Sequence, residues 1–174
     1  MLFDLENSNE NIISLYSDNS KNAKLFIQNI FNKLCTLSYY FEIEKEVIDE
    51  KLYNRILNII NSNFKYIFFD DILSYLTNKQ VECLMNKAHE KDIKVLFYTT
   101  EMEYSLFSSY MIIIKEGLIA IEGKTKSVLK EEKLLKKLGY NIPFIAELSN
   151  YLKYYDLVSD IFLNEKELVE KLWN

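Results

Sequence analysis

Residues 66–77 read YIFFDDILSYLT, and this stretch decides the fold. Tyr66, Ile67, Phe68 and Phe69 form an unbroken apolar run, closed by Asp70 and Asp71 and then by a polar break. A short run of this kind, bounded by turn residues, fits a strand buried on both faces that ends at a charged edge. Comparable runs occur at NIISLY (11–16), IKVLFYT (93–99) and YMIIIK (110–115), and the KYIFFD run itself begins at 65. GLIAIEG (117–123) follows closely and alternates, as a hairpin partner does.

Helical patterns lie between the runs. In TNKQVECLMNKAHEK (77–91), Val81, Leu84, Met85 and Ala88 fall on one face. Thr77 and Gln80 have the spacing of a capping box, in which each side chain satisfies a backbone N–H of the first turn. DEKLYNRILNII (49–60) places Leu52, Ile56, Ile59 and Ile60 on one face in the same way. Strand and helix in alternation predict an α/β fold: a mostly parallel sheet with flanking helices.

Beyond residue 123 the strand signals stop. KTKSVLKEEKLLKKLG (124–139) reads as a helix closed by Gly139, and Pro143 opens another in PFIAELSNYLKYY. Asn164, with Glu167 three residues on, caps a last helix bearing the stripe Leu168, Val169, Leu172 and Trp173. The expected organisation is a sheet-bearing body over 1–123 and a helical C-terminal extension over 124–174.

Composition narrows the function. The 174 residues are 49% hydrophobic, enough for one sizeable core, with only three Gly and one Pro. The 21 basic and 26 acidic side chains give a net charge of -5, which disfavours a general nucleic-acid binder. Cys35 and Cys83 lack the spacing of a zinc site, and MLFDLENSNEN lacks the basic and apolar regions of a signal peptide. A cytoplasmic protein is expected, with no membrane-inserted segment and membrane association only through partners. His89 reads as a solvated helix-end residue and Cys83 as partly buried; Tyr104, Phe107 and Tyr110 read as packing residues.

An apolar strand ending in two acids is the Walker B arrangement of nucleotide hydrolases: the first carboxylate holds Mg²⁺, the second orients the attacking water. FFDDILSYLT, then VLFYTTEME, then IIIKEGLIAIEGKTKSVL, together resemble successive segments of ATP-binding cassette proteins. KLLKKLGYNIPFIAELSNYLKYYDLVSDIFLNEKELVEKLW, with its Leu-Gly-x-x-x-Pro-x-x-x-x-Leu pattern, resembles the C-terminal extension of energy-coupling-factor transporter ATPases. The resemblance covers about residues 50–174.

It implies a P-loop nucleotide-hydrolase fold lacking a full helical subdomain. It puts Asp70 on the metal-associated aspartate, Asp71 on the catalytic glutamate and Thr100 on the switch histidine. Asp71 is one methylene too short for that role, and Thr100 cannot carry charge. The phosphate loop, GxxxxGK[ST] in an intact protein, corresponds to SDNSKNAKLF (17–26), which has no glycine; Ala23 falls on the lysine, and Lys21 and Lys24 stand nearby out of register. EVIDE (46–50) takes the place of the signature motif.

These departures predict a degenerate cassette-like protein with no cofactor, Mg-ATP binding only if the altered loop still holds it. Its expected partner is a second copy or another cassette-type subunit, with Tyr151, Tyr154 and Tyr155 as an interface. Two alternatives stand beside it. One is an ATP-binding transporter subunit that grips nucleotide through Lys21 or Lys24 while Asp70 keeps Mg²⁺. The other rests on DILSYLTNKQVECLMNKAHEKDIKVLFY (71–98), which also resembles DNA-end-binding proteins of CRISPR adaptation.

Overall fold

The structure is a computed structural model and describes residues 4–17, 19–34, 37–42 and 51–173. In chain order the elements are β1 (Ile12–Ser17), α1 (Ser20–Lys33), β2 (Ser38–Glu42), α2 (Leu52–Ile60), β3 (Tyr66–Asp70), α3 (Asn78–Glu90), β4 (Lys94–Thr99), β5 (Tyr110–Lys115) and β6 (Leu118–Lys124), then α4 (Thr125–Lys130), α5 (Glu132–Lys137), α6 (Phe144–Tyr154) and α7 (Glu165–Trp173). The opening stretch is therefore β3, every residue of which is buried. Its turn, Leu73–Tyr75, is a single 3₁₀ turn.

The six strands form one sheet in the order β2-β3-β4-β1-β5-β6, parallel except for β6, which pairs antiparallel with β5. The β5–β6 turn contains Glu116 and Gly117, both at positive φ (53° and 80°). Two central residues in that region match the right-handed twist of the strands they join, which fixes the hairpin.

Helices cover both faces. Ala23, Ile27 and Ile30 of α1 pack on one face with Ile13, Leu15, Phe68, Leu96 and Tyr98. On the other, α2 contributes Leu52, Ile56 and Ile60, and α3 contributes Val81, Leu84, Met85 and Ala88, against Ile67, Phe69, Val95 and Phe97. Successive residues of β3 thus serve opposite cores, which is why its apolar run is unbroken. Each large side chain so buried contributes roughly 1.5–3 kcal/mol. The capping box forms as its spacing predicts: Thr77 Oγ1 accepts from Gln80 N at 3.3 Å, and Thr77 N donates to Gln80 Oε1 at 2.9 Å.

Three local readings change. SYYFE (38–42) is an edge strand, half-buried over its first four residues, that the search for longer apolar runs passes over because Tyr39–Phe41 is a run of only three. Residues 124–139 form two short helices meeting at Glu131 (φ -79°, ψ 46°) in place of one. Pro143 is the residue just before α6, its carbonyl accepting from Ala146 N and Glu147 N at 3.0 Å each. Gly139 does follow α5 at φ 86°, with Tyr140 N donating to Leu135 O at 3.0 Å.

The segments after β6 pack on their own cluster: Val128, Leu129, Leu135, Tyr140, Ile142, Ala146 and Ile161 gather with Met111 and Ile113 of β5. Leu168 of α7 joins Ile145 and Val158, and Asn164 Oδ1 accepts from Glu167 N at 2.8 Å at that helix's start. Among the described residues no helix is long and apolar enough to cross a membrane.

Candidate functional site

β1, β2, β3 and β4 run parallel, so their last residues, Ser17, Glu42, Asp70 and Thr99, lie along one edge of the sheet. The chain leaves β1 through α1 on one face and returns through α2 and α3 on the other. Open α/β sheets bind ligands outside the strands' carboxyl ends at such a reversal.

Asp70 is the centre of this edge. Its side chain is only 1% exposed, and Lys24 Nζ lies 2.9 Å from its Oδ2. The same ammonium reaches Glu42 Oε1 at 2.7 Å. Glu42 and Asp70 are register partners on β2 and β3, so α1 extends one cation over two carboxylates from adjacent strands. Tyr40 adds a hydroxyl, donating to Asp70 Oδ2 at 3.3 Å. Glu42 first and Asp70 second hold the Lys24 ammonium well above the usual lysine range. Asp70 Oδ1 is buried and has no hydrogen-bond partner among the described residues.

The junction of β1 and α1 is closed by its own side chains. Asn19 caps α1: its Oδ1 accepts from Lys21 N at 3.0 Å and Asn22 N at 3.3 Å. Ser17 Oγ accepts from Asn19 N at 3.2 Å and is 3.2 Å from Asn19 O. First-turn N–H groups of this kind are what a helix presents to a phosphate. All three glycines of the chain lie at residue 117 or later, so the junction has no position where a missing Cβ lets backbone approach an anion. Lys21 is exposed at the helix surface, while Lys24, one turn on, makes the ion pair with Asp70.

Asp71 turns back on itself at φ 52°, with its N–H bonded to Tyr98 O at 3.1 Å. That turn brings its carboxylate to Thr100, whose N donates to Oδ1 at 3.3 Å and whose hydroxyl lies 3.4 Å from both oxygens. Burial pushes the Asp71 carboxyl up, and the charges of Asp70 and Glu101 add to it, against the Thr100 hydrogen bonds. Tyr98, buried and opposite Asp70 in register, has its phenol pushed up to about 12 by burial and then by Asp71 and Asp70. The structure therefore brings Asp70, Asp71, Thr100 and Lys24 to one edge.

No protein-family model matches the chain. An energy-coupling factor transporter ATP-binding protein of Mesomycoplasma hyopneumoniae (strain 7448) is 27% identical over 177 residues, covering 98% of this chain and 60% of the relative. One from Caldanaerobacter subterraneus subsp. tengcongensis is 35% identical over 83 residues, covering 47% of this chain and 30% of the relative. The chain resembles the ATP-binding proteins of energy-coupling-factor transporters. It spans about 60% of the length of the mycoplasmal relative. Among solved structures, an ATP-binding subunit of an ABC transporter superposes with a TM-score of 0.50 at 12% identity, covering 74% of this chain and 86% of that one. The cbiO1 protein from Clostridium perfringens does so with a TM-score of 0.50 at 13% identity, covering 79% and 86%. At these identities the likeness is one of fold, and the fold is that of ABC-type ATPase subunits.

The alignment that puts Ala23 on the lysine of GxxxxGK[ST] would, by spacing, put Lys24 on the Ser/Thr that follows, a correspondence that sequence inspection missed. The spacing alone could have shown this. Glu42 was also missed, because its role depends on β2 lying beside β3. The signature-equivalent EVIDE (46–50), Asp18 and Cys35 lie outside the described residues.

Away from the edge, Tyr151, Tyr154 and Tyr155 are all exposed on or just after α6, and the rings of Tyr154 and Tyr155 meet edge to face at 5.3 Å. Leu157, Val169, Leu172 and Trp173 are exposed in the same part of the chain. His89 is exposed, as expected; Cys83 is half-buried and accepts from Tyr53 OH at 3.3 Å. Tyr104 and Phe107 pack on the α2–α3 core and Tyr110 on the α1 core.

Proposed function

We propose that this chain is a cassette-type ATPase relative that has lost nucleotide hydrolysis and acts as a binding or regulatory subunit, by self-association or by pairing with a cassette protein. The observation that carries the reading is the capped start of α1. Its first-turn N–H groups at Lys21 and Asn22 are already accepted by Asn19 Oδ1, so a phosphate would have to displace a built-in side chain.

The metal end supports the same reading. A divalent ion does not fit at Asp70 Oδ2 while an ammonium stands 2.9 Å from that oxygen, because like charges so close repel strongly. The Asp71 carboxylate is engaged by Thr100, the residue the resemblance puts on the switch position. With the edge engaged internally, the exposed aromatic side chains of α6 and α7 offer a surface for recognition: Tyr154 is 81% and Trp173 80% exposed. Aromatic side chains are enriched where proteins meet.

The test is steady-state ATP hydrolysis by the full chain, alone and mixed with a full-length cassette protein. The expected result is no turnover attributable to this chain, so that Asp70→Asn leaves the measured rate unchanged. Turnover that Asp70→Asn abolishes would overturn the reading.

A further inference from the structure

We infer that the Lys24 ammonium is the resident cation of the sheet edge, a covalently attached substitute for a divalent metal ion. The inference deepens the proposed function at the same site but rests on different atoms from the capped helix start.

A carboxylate as buried as Asp70 needs a positive partner, since an unpaired charge in the interior is strongly disfavoured. Lys24 supplies one, and its geometry is that of a bridging cation. One nitrogen lies 2.9 Å from Asp70 Oδ2 and 2.7 Å from Glu42 Oε1, with Tyr40 OH donating to the same Asp70 oxygen. In motif register this residue stands where a metal-ligating hydroxyl is expected, so the substitution replaces ligand and metal together. Lys24 bridges two of the edge's carboxylates, Asp70 and Glu42, with a single charge; a hard divalent cation would neutralise that pair fully and favours this kind of oxygen donor. Asp70 Oδ1, buried and partnerless among the described residues, is a further donor next to the ammonium. Cutting Lys24 back to a hydroxyl should therefore uncover a divalent-cation site.

The experiment is a Mn²⁺ titration of the full chain without nucleotide, followed by electron paramagnetic resonance. Wild type and Lys24→Ser are compared, with Lys24→Ser combined with Asp70→Asn as the control. The expected result is one Mn²⁺ bound by Lys24→Ser at least about tenfold more tightly than by wild type, a free-energy gain of about 1.4 kcal/mol or more. Adding Asp70→Asn should abolish that gain. Equal binding by wild type and Lys24→Ser, or no gain in a folded Lys24→Ser chain, overturns the inference. Should Lys24→Ser fail to fold, Lys24→Met with Asp70→Asn removes both charges at similar volume. Recovery by this pair of the thermal midpoint lost in Lys24→Met alone supports the charge pairing, and no recovery overturns it. ATP binding by wild type would overturn the proposed function and leave this inference standing; tight Mn²⁺ binding by wild type would overturn this inference alone.

Discussion

Two regions of the molecule treat their side chains in opposite ways. At the carboxyl edge of the sheet, polar groups face one another: Lys24 joins Asp70 to Glu42, Asn19 closes α1, and Thr100 holds Asp71. In the C-terminal segment, apolar groups face outward: Tyr151, Tyr154, Tyr155, Leu157 and Trp173 are each more than half exposed. Internal partners make a polar site quiet, whereas exposed aromatic side chains gain free energy only when something covers them. On the proposed reading, the exposed aromatic side chains of the tail are where a partner would bind.

The strongest way to break this contrast is to remove the cation. Lys24→Met leaves Asp70 buried without its ion partner, and because the lysine is itself partly exposed the cost should fall between surface and buried pairs, at about 2–3 kcal/mol. Urea unfolding would measure it; a loss under about 0.5 kcal/mol would mean the pair is ornamental. Next, Asn19→Ala should cost about 1 kcal/mol, because two first-turn N–H groups lose their acceptor. The same unfolding measurement checks this, and an unchanged midpoint would mean that solvent replaces the cap.

The tail should behave in the opposite sense. Replacing Tyr154, Tyr155 and Trp173 by Ser should change stability by no more than about 0.5 kcal/mol per site while weakening association with a second copy or a cassette partner. Sedimentation velocity reads both species; unchanged association would move the interface elsewhere.

The smallest effect concerns Asp71. Its carboxyl titrates above the usual 3.8 in the folded chain, so the stability linked to its protonation is fully present below that value and is lost as pH rises through the folded-state pKa. Asp71→Asn should therefore flatten the stability profile in that acidic window and slightly raise the thermal midpoint at pH 7. The Thr100 N–H keeps an oxygen to donate to, and Asn tolerates the positive φ. An unaltered profile would contradict this assignment.

Much of the fold was legible because the strongest signals are local. β3 announces itself through four apolar residues serving two cores, and α3 through its stripe and its Thr77–Gln80 box. β2 was not legible, because its apolar run is only three residues, Tyr39–Phe41, between Ser38 and Glu42. The break at Glu131 was hidden because the pattern on both sides of it is helical. In α7 the stripe marked a face correctly but only Leu168 is buried on it; periodicity shows which residues align and says nothing of whether a neighbour covers them. The positions of Asp70, Asp71 and Thr100 followed from motif order. The Lys24–Asp70–Glu42 bridge did not, since it joins three segments separated in sequence and exists only once β2 and α1 meet β3.

The most direct measurement is a calorimetric titration of the full wild-type chain with Mg-ATP. The closed sheet edge predicts no heat of binding and no shift of the thermal midpoint at millimolar nucleotide. Micromolar binding that Asp70→Asn weakens would contradict it and return the edge to the role its motif order implies.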